Sequence, residues 1–161
     1  MHTLEGGPKA GGMKFAIVVS RYNDFVTRPL LAGALAALAE ADVLEPDVTI
    51  AHVPGAFELP VAAQRLAETG RYAAVICLGC LIRGATPHFE YIASAVAHAL
   101  ATASTTTGVP ISFGVLTTNA AEEALERAAP GPSNKGREAA AAAIEMATML
   151  RALEAAVERL P

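Results

Sequence analysis

The run FAIVVS (15–20) is almost continuously apolar, the pattern of a strand covered on both faces in a parallel sheet. Beyond it, Phe25 to Ala41 repeats apolar residues at helical spacing. Asn23 or Asp24 is placed to cap that helix, and Pro29 is tolerated by lying near its first turn. The alternation then recurs. VTIAHV (48–53) predicts a second strand, and ELPVAAQRLAETG a helix stopped at Gly70. AAVICLG (73–79) predicts a third strand, followed by the loop LIRGATP and a helix from about His88 to Thr107 that Gly108 and Pro110 end. ISFGVL (111–116) predicts the fourth strand, leading through TTN to the short helix AAEEALERA with Asn119 as its cap. APGPSN (129–134) interrupts the pattern before a last helix from about Lys135 to Arg159. Four strand–helix alternations predict an α/β fold, a flavodoxin-like three-layer sandwich whose central four-stranded parallel sheet carries helices on both faces.

A chain of 161 residues, 53% hydrophobic, can bury one sizeable core. We expect a single domain over 14–161 and an N-terminal extension over 1–13, with His2 in a floppy leader. Aromatics make up only 5% and Trp is absent, so the core is built of Ala, Val, Leu and Ile. Lys and Arg number 12 against 16 Asp and Glu, a net charge of −4 that offers no basic footprint for nucleic acid or an anionic membrane. The apolar stretch Leu30 to Leu38, broken only by Gly33, is far shorter than the roughly 20 residues of a membrane span. The opening MHTLEGGPKAGG lacks the marks of a signal peptide, and a cytoplasmic location is the expectation.

Cys77 and Cys80 form a C-x-x-C inside the third apolar run. Residues three apart in a strand point to opposite faces, which disfavours a shared metal or a local disulfide and predicts two small core residues. No second cysteine pair completes a zinc site, and His2, His52, His88 and His98 show no metal-ligand spacing.

In open α/β sheets ligands bind beyond the carboxyl ends of the strands, which directs attention to SRYND, PGAFE, LIRGATPHF and FGVLTTN. Arg83-Gly84-Ala85-Thr86-Pro87-His88-Phe89 joins the third strand to its helix, where free backbone N–H groups and the helix dipole favour an anion such as phosphate. Thr86 is placed to cap the helix and Pro87 to occupy its first position. The same string also fits an ordinary strand-to-helix turn. His88, at the helix start, is a candidate for moving protons. Arg127 and Lys135 flank the Pro/Gly turn and can either clamp a phosphate or stand as solvated charges. Tyr22, Phe57 and Phe113 fall at or near the carboxyl ends of predicted strands, one rim on which a flat heteroaromatic ring can stack. GPSNKG follows no strand and lacks P-loop spacing, and no G-x-G-x-x-G follows a strand either.

The strings IVVSRYNDF (17–25), VPGAFELPVAA (53–63), IRGATPHFEYIA (82–93), FGVLTT (113–118) and NKGREAA with AIEMA near the end resemble the lumazine synthases, in order and over nearly the whole chain. The resemblance implies condensation of 5-amino-6-(D-ribitylamino)uracil with 3,4-dihydroxy-2-butanone 4-phosphate, the penultimate step of riboflavin biosynthesis. It further implies that Tyr22, Ala56-Phe57-Glu58 and Cys80-Leu81-Ile82 hold the pyrimidine, with Phe113 on its ring and Glu58 on the ribityl chain. Ala85, Thr86 and Arg127 would bind the ketose phosphate, with Lys135 as a further cation, and His88 would transfer protons. No cofactor or metal is needed. Family sites are shared between neighbouring subunits of a pentamer, the segments around Phe113 and Arg127 coming from the adjacent chain. Many members assemble twelve pentamers into a hollow shell, others stop at the pentamer, often with an insertion between the last two helices that this sequence lacks, and riboflavin synthase is admitted as a partner. Tyr22 stands where the family usually has Phe, Cys80 where another small residue is usual, and APGPS (129–133) replaces a GTKAG-like stretch. The last change bears on packing between pentamers more than on activity.

Two other readings remain. A non-catalytic flavin- or lumazine-binding shell protein would keep the fold and the stacking rim, but needs neither His88 nor Arg127. A flavodoxin or receiver-like domain is permitted by fold alone. Against it, Ser20 and Arg21 stand where a receiver's acidic cluster would follow the first strand.

Overall fold

The first strand, β1 (Phe15–Ser20), is buried at every residue, because it lies between β2 (Val48–Val53) and β3 (Ala74–Ile82). In the computed structural model, which describes residues 1–159, β4 (Ile111–Thr118) completes a parallel sheet of order β2-β1-β3-β4. Side chains leave β1 alternately to two cores. Phe15, Ile17 and Val19 join the core under α1 (Asp24–Glu40) and α5 (Lys135–Val157), with the short α4 (Ala121–Ala128) at its margin. Ala16 and Val18 join the core under α2 (Leu59–Glu68) and α3 (His88–Thr107). The result is the flavodoxin-like three-layer α/β sandwich that the alternation predicts. Cys77 and Cys80 fall in opposite cores as free, buried thiols. Burial pushes their thiols up to about 12 and about 11, so neither is a nucleophile near neutral pH.

The helix packing depends on small residues. A Cβ on Gly136 would collide with the Leu30 carbonyl, so this glycine lets α5 lie directly on α1. Asn134, 1% exposed, caps α5 by accepting from the Arg137 N–H at 3.0 Å. Its Nδ2 donates to the Ala128 carbonyl at 2.8 Å and the Pro29 carbonyl at 3.2 Å, knotting the Pro/Gly turn to α1. Residues ahead of β1 are tied at several points: Gly7 N–H donates to Thr148 Oγ1, and Ala10, fully buried, donates to the Ala41 carbonyl.

Several local expectations need correction. Strands β3 and β4 run on to Ile82 and Thr118, since the rungs Leu81 with Thr117 and Ile82 with Thr118 extend the ladder; the expected loop therefore begins at Arg83. Pro87, not Thr86, holds the N-cap position of α3, without a side-chain cap. Ala120 replaces Asn119 at the start of α4, and the Asn23 side chain leaves the end of α1 uncapped. Helix α5 ends at Val157, short of Arg159. Among the described residues no helix is long and apolar enough to cross a membrane, and no cluster of His, Cys, Asp and Glu is placed to hold a metal ion.

Candidate active site

Past the end of β1 the chain stays in register with its neighbour: Arg21 N–H donates to the Val53 carbonyl and Tyr22 N–H to the Pro54 carbonyl. That pairing sets Tyr22 beside the loop after β2. Asn23 then adopts a left-handed conformation, φ 61°, which turns the chain into α1 and sends its Nδ2 to the Cys80 carbonyl at 3.0 Å. After β2, the one-turn 3-10 helix Ala56–Glu58 is closed by Gly55 N–H donating to Glu58 Oε2 at 3.1 Å. This closure holds the Phe57 ring outward, 65% exposed, and Tyr22 is 71% exposed.

These turns and the start of α3 enclose a crevice of about 950 Å³ beyond the carboxyl ends of β1, β2 and β3. Its walls include Tyr22, Ala56, Phe57, Glu58, Thr86 and His88, and Leu81 and Ile82 from the end of β3. Eight of the expected site residues are thus brought together by one chain. The arrangement suits a flat, polar-edged ligand: exposed aromatic rings offer stacking surface, a carboxylate offers an acceptor, and an imidazole stands at a helix start. Gly84 and Ala85 belong to the same exposed turn, and Gly84 also lines the crevice. Cys80 contributes differently, because its side chain is buried in the α1/α5 core and only its backbone carbonyl faces Asn23. Asn23, Gly55, Phe89, Tyr91 and Ile92 line the crevice too. None of them was named as a site residue, although Asn23, Gly55 and Phe89 lie in loops that were singled out; the αL tolerance of Asn in a tight turn points to the role Asn23 has.

The other expected residues stand apart. Because β4 continues to Thr118, Phe113 is its third residue and sits well before its carboxyl end, so it shares no rim with Tyr22 and Phe57. Phe113, 48% exposed, and Lys135 line a second crevice of about 490 Å³ along the open edge of β4 against α5. Lys135 is paired there with Glu138 at 2.9 Å. Arg127 ends α4 with its guanidinium on the Glu123 carbonyl at 3.2 Å, and it lines neither crevice. One chain therefore presents two separate half-sets.

The family model described as 6,7-dimethyl-8-ribityllumazine synthase matches residues 12–151. A protein of that name from Syntrophus aciditrophicus (strain SB) is 55% identical over 147 residues, covering 91% of this chain and 96% of its own length. The chain belongs to the 6,7-dimethyl-8-ribityllumazine synthase family. All five strings that carried the resemblance lie inside the matched span. The three places expected to depart from the family pattern fall at distinct positions in the structure. Tyr22 lies in the crevice, Cys80 in the core behind it, and the Ala129 to Ser133 turn on the surface ahead of Asn134. Of these, Tyr22 alone lines the crevice.

Proposed function

We propose that the chain condenses 5-amino-6-(D-ribitylamino)uracil with 3,4-dihydroxy-2-butanone 4-phosphate to 6,7-dimethyl-8-ribityllumazine, phosphate and water, the penultimate step of riboflavin biosynthesis. The observation that carries this, beside family membership, is the gathering of Tyr22, Phe57, Glu58, Thr86 and His88 around one crevice. The pyrimidine stacks on the aromatic rings while Ala56, Leu81, Ile82 and the Cys80 backbone border it, and Glu58 takes the ribityl hydroxyls. The Ala85-Thr86 turn receives the phosphate. In the reaction the pyrimidine's primary amine attacks the ketone and an imine forms with loss of water. Phosphate then leaves, and the ribitylamino nitrogen closes the second ring with loss of a second water. His88 moves the protons these steps require. Holding two substrates in register supplies much of the acceleration, up to about 7 to 11 kcal/mol in ideal cases.

Phe113, Arg127 and Lys135 complete the site from the adjacent copy of the chain in a homopentamer, which accounts for their standing away from His88 here. Twelve pentamers would close a shell. The protein works in the cytoplasm on small-molecule substrates, with riboflavin synthase as the partner that consumes its product; residues 14–161 act as one domain and 1–13 as an extension. The test is to mix purified protein with both substrates and follow lumazine absorbance and phosphate release together. Equimolar rise of both is expected. Binding of the pyrimidine or riboflavin without phosphate release would instead favour the non-catalytic binding protein.

A further inference from the structure

The turn Gly84–His88 carries the groups assigned to phosphate binding and proton transfer, yet it has little of its own to hold it. Gly84 has open space around it, and all five residues are exposed. Pro87 lacks an N–H, and no side chain from 84 to 88 makes a hydrogen bond among the described residues. The ties come from the residue just ahead. Arg83 is fixed at the end of the sheet by its N–H, which donates to the Thr118 carbonyl at 2.8 Å. Its guanidinium then reaches over the turn: Nη1 donates to Glu90 Oε1 at 2.8 Å, in the first turn of α3. Nε donates to Asn119 Oδ1 at 2.9 Å in the loop after β4, and the guanidinium carbon lies 4.9 Å from the centre of the Phe89 ring. One side chain thus fastens the end of β3, the start of α3 and the β4–α4 loop.

We propose that Arg83 is a positioning residue, whose side chain sets the Gly84–His88 turn so that Thr86 and His88 meet the ketose phosphate; this rests on the reading of the site given above. Ion pairs this exposed contribute little to overall stability, so the effect is on geometry. Misplacing reacting groups by a fraction of a bond length has large kinetic consequences. Arg83 is occupied by its own chain, which distinguishes this role from direct phosphate binding.

The test measures steady-state kinetics of Arg83→Gln, Arg83→Lys, Glu90→Gln and Asn119→Ala, together with amide hydrogen exchange across residues 84–89 in each unliganded protein. Arg83→Gln is expected to raise KM for the ketose phosphate about tenfold, leaving KM for the pyrimidine within about twofold, and to speed exchange across the turn. Glu90→Gln and Asn119→Ala should move the same KM in the same direction by about threefold each, while Arg83→Lys, which keeps the Glu90 pair, recovers part of the loss. If Arg83→Gln raises KM but the two partner variants do not, the guanidinium binds phosphate itself and the positioning role is overturned. Equal changes in both KM values, or unchanged exchange, overturn it as well. A wild-type chain that forms no lumazine would sink the reading of the site, whereas the exchange measurement decides the bracing on its own.

Discussion

His88 combines exposure, a place at a helix start, and the absence of any side-chain hydrogen bond among the described residues. Removing its imidazole leaves no buried group unpaired and no cavity, so the two usual sources of large destabilisation are missing. Expected for His88→Ala is therefore a fall in kcat of about 10² or more with the melting temperature unchanged, read by lumazine formation and a thermal scan. A matching loss of stability would mean the side chain is structural. His88 was singled out in the sequence from residue type and local context, and its side chain lines the crevice. Cys80 shows the limit of that kind of reading: the neighbouring backbone reaches the crevice edge, but strand alternation turns its thiol into the opposite core.

At the scale of elements, the order of the four strands and five α-helices was legible, most plainly in β1 and β3, where burial on both faces of a parallel sheet leaves a continuous apolar run. What escaped were the ends. Leu81 and Ile82 are strand only because Thr117 and Thr118 lie alongside, and that pairing is invisible locally. Asn23 and Asn119 looked like caps because cap chemistry is local, whereas their side chains serve the Cys80 carbonyl and the Arg83 guanidinium. Asn134 does cap its helix, and it ties the start of α5 to Pro29 of α1. Asn134→Ala uncaps α5 and strips partners from the Ala128 and Pro29 carbonyls in a buried place, so a loss of about 2–4 kcal/mol is expected from urea unfolding at fixed protein concentration. The same helix pair carries a pH signature. Arg137 grips Glu40 through two hydrogen bonds, at 2.6 and 3.0 Å, and holds that carboxyl below its usual range. A depressed carboxylate favours the folded state above its unfolded pKa, and that contribution fades as pH falls through the lowered folded value. The difference in melting temperature between wild type and Arg137→Gln should accordingly be present at pH 7 and shrink under acid conditions below the ordinary carboxylate range.

At the scale of the whole molecule, the two half-sets face apart: the crevice of Tyr22, Phe57 and His88 opens beyond β1 to β3, while Phe113 and Lys135 border the free edge of β4, and Arg127 lies at the end of α4. No sequence pattern separates residues that meet within a chain from residues that meet across an interface, and so the rim that Phe113 was expected to share proved to be split. The proposed pentamer, in which each copy would offer one half-set to its neighbour, would reunite them without rearranging the fold. The arrangement has a consequence that a self-contained site lacks. His88→Ala subunits keep Arg127, and Arg127→Ala subunits keep His88; each assembly alone should be nearly inactive. If the two are unfolded together in equal amounts and reassembled at random, about one site in four joins an intact His88 to an intact Arg127 from the next copy. Activity should then rise to about a quarter of wild type in the mixed assembly, measured by lumazine formation, while separately reassembled controls stay low. No gain on mixing would place both residues in the same copy's site, and the proposed sharing of the active site would fail.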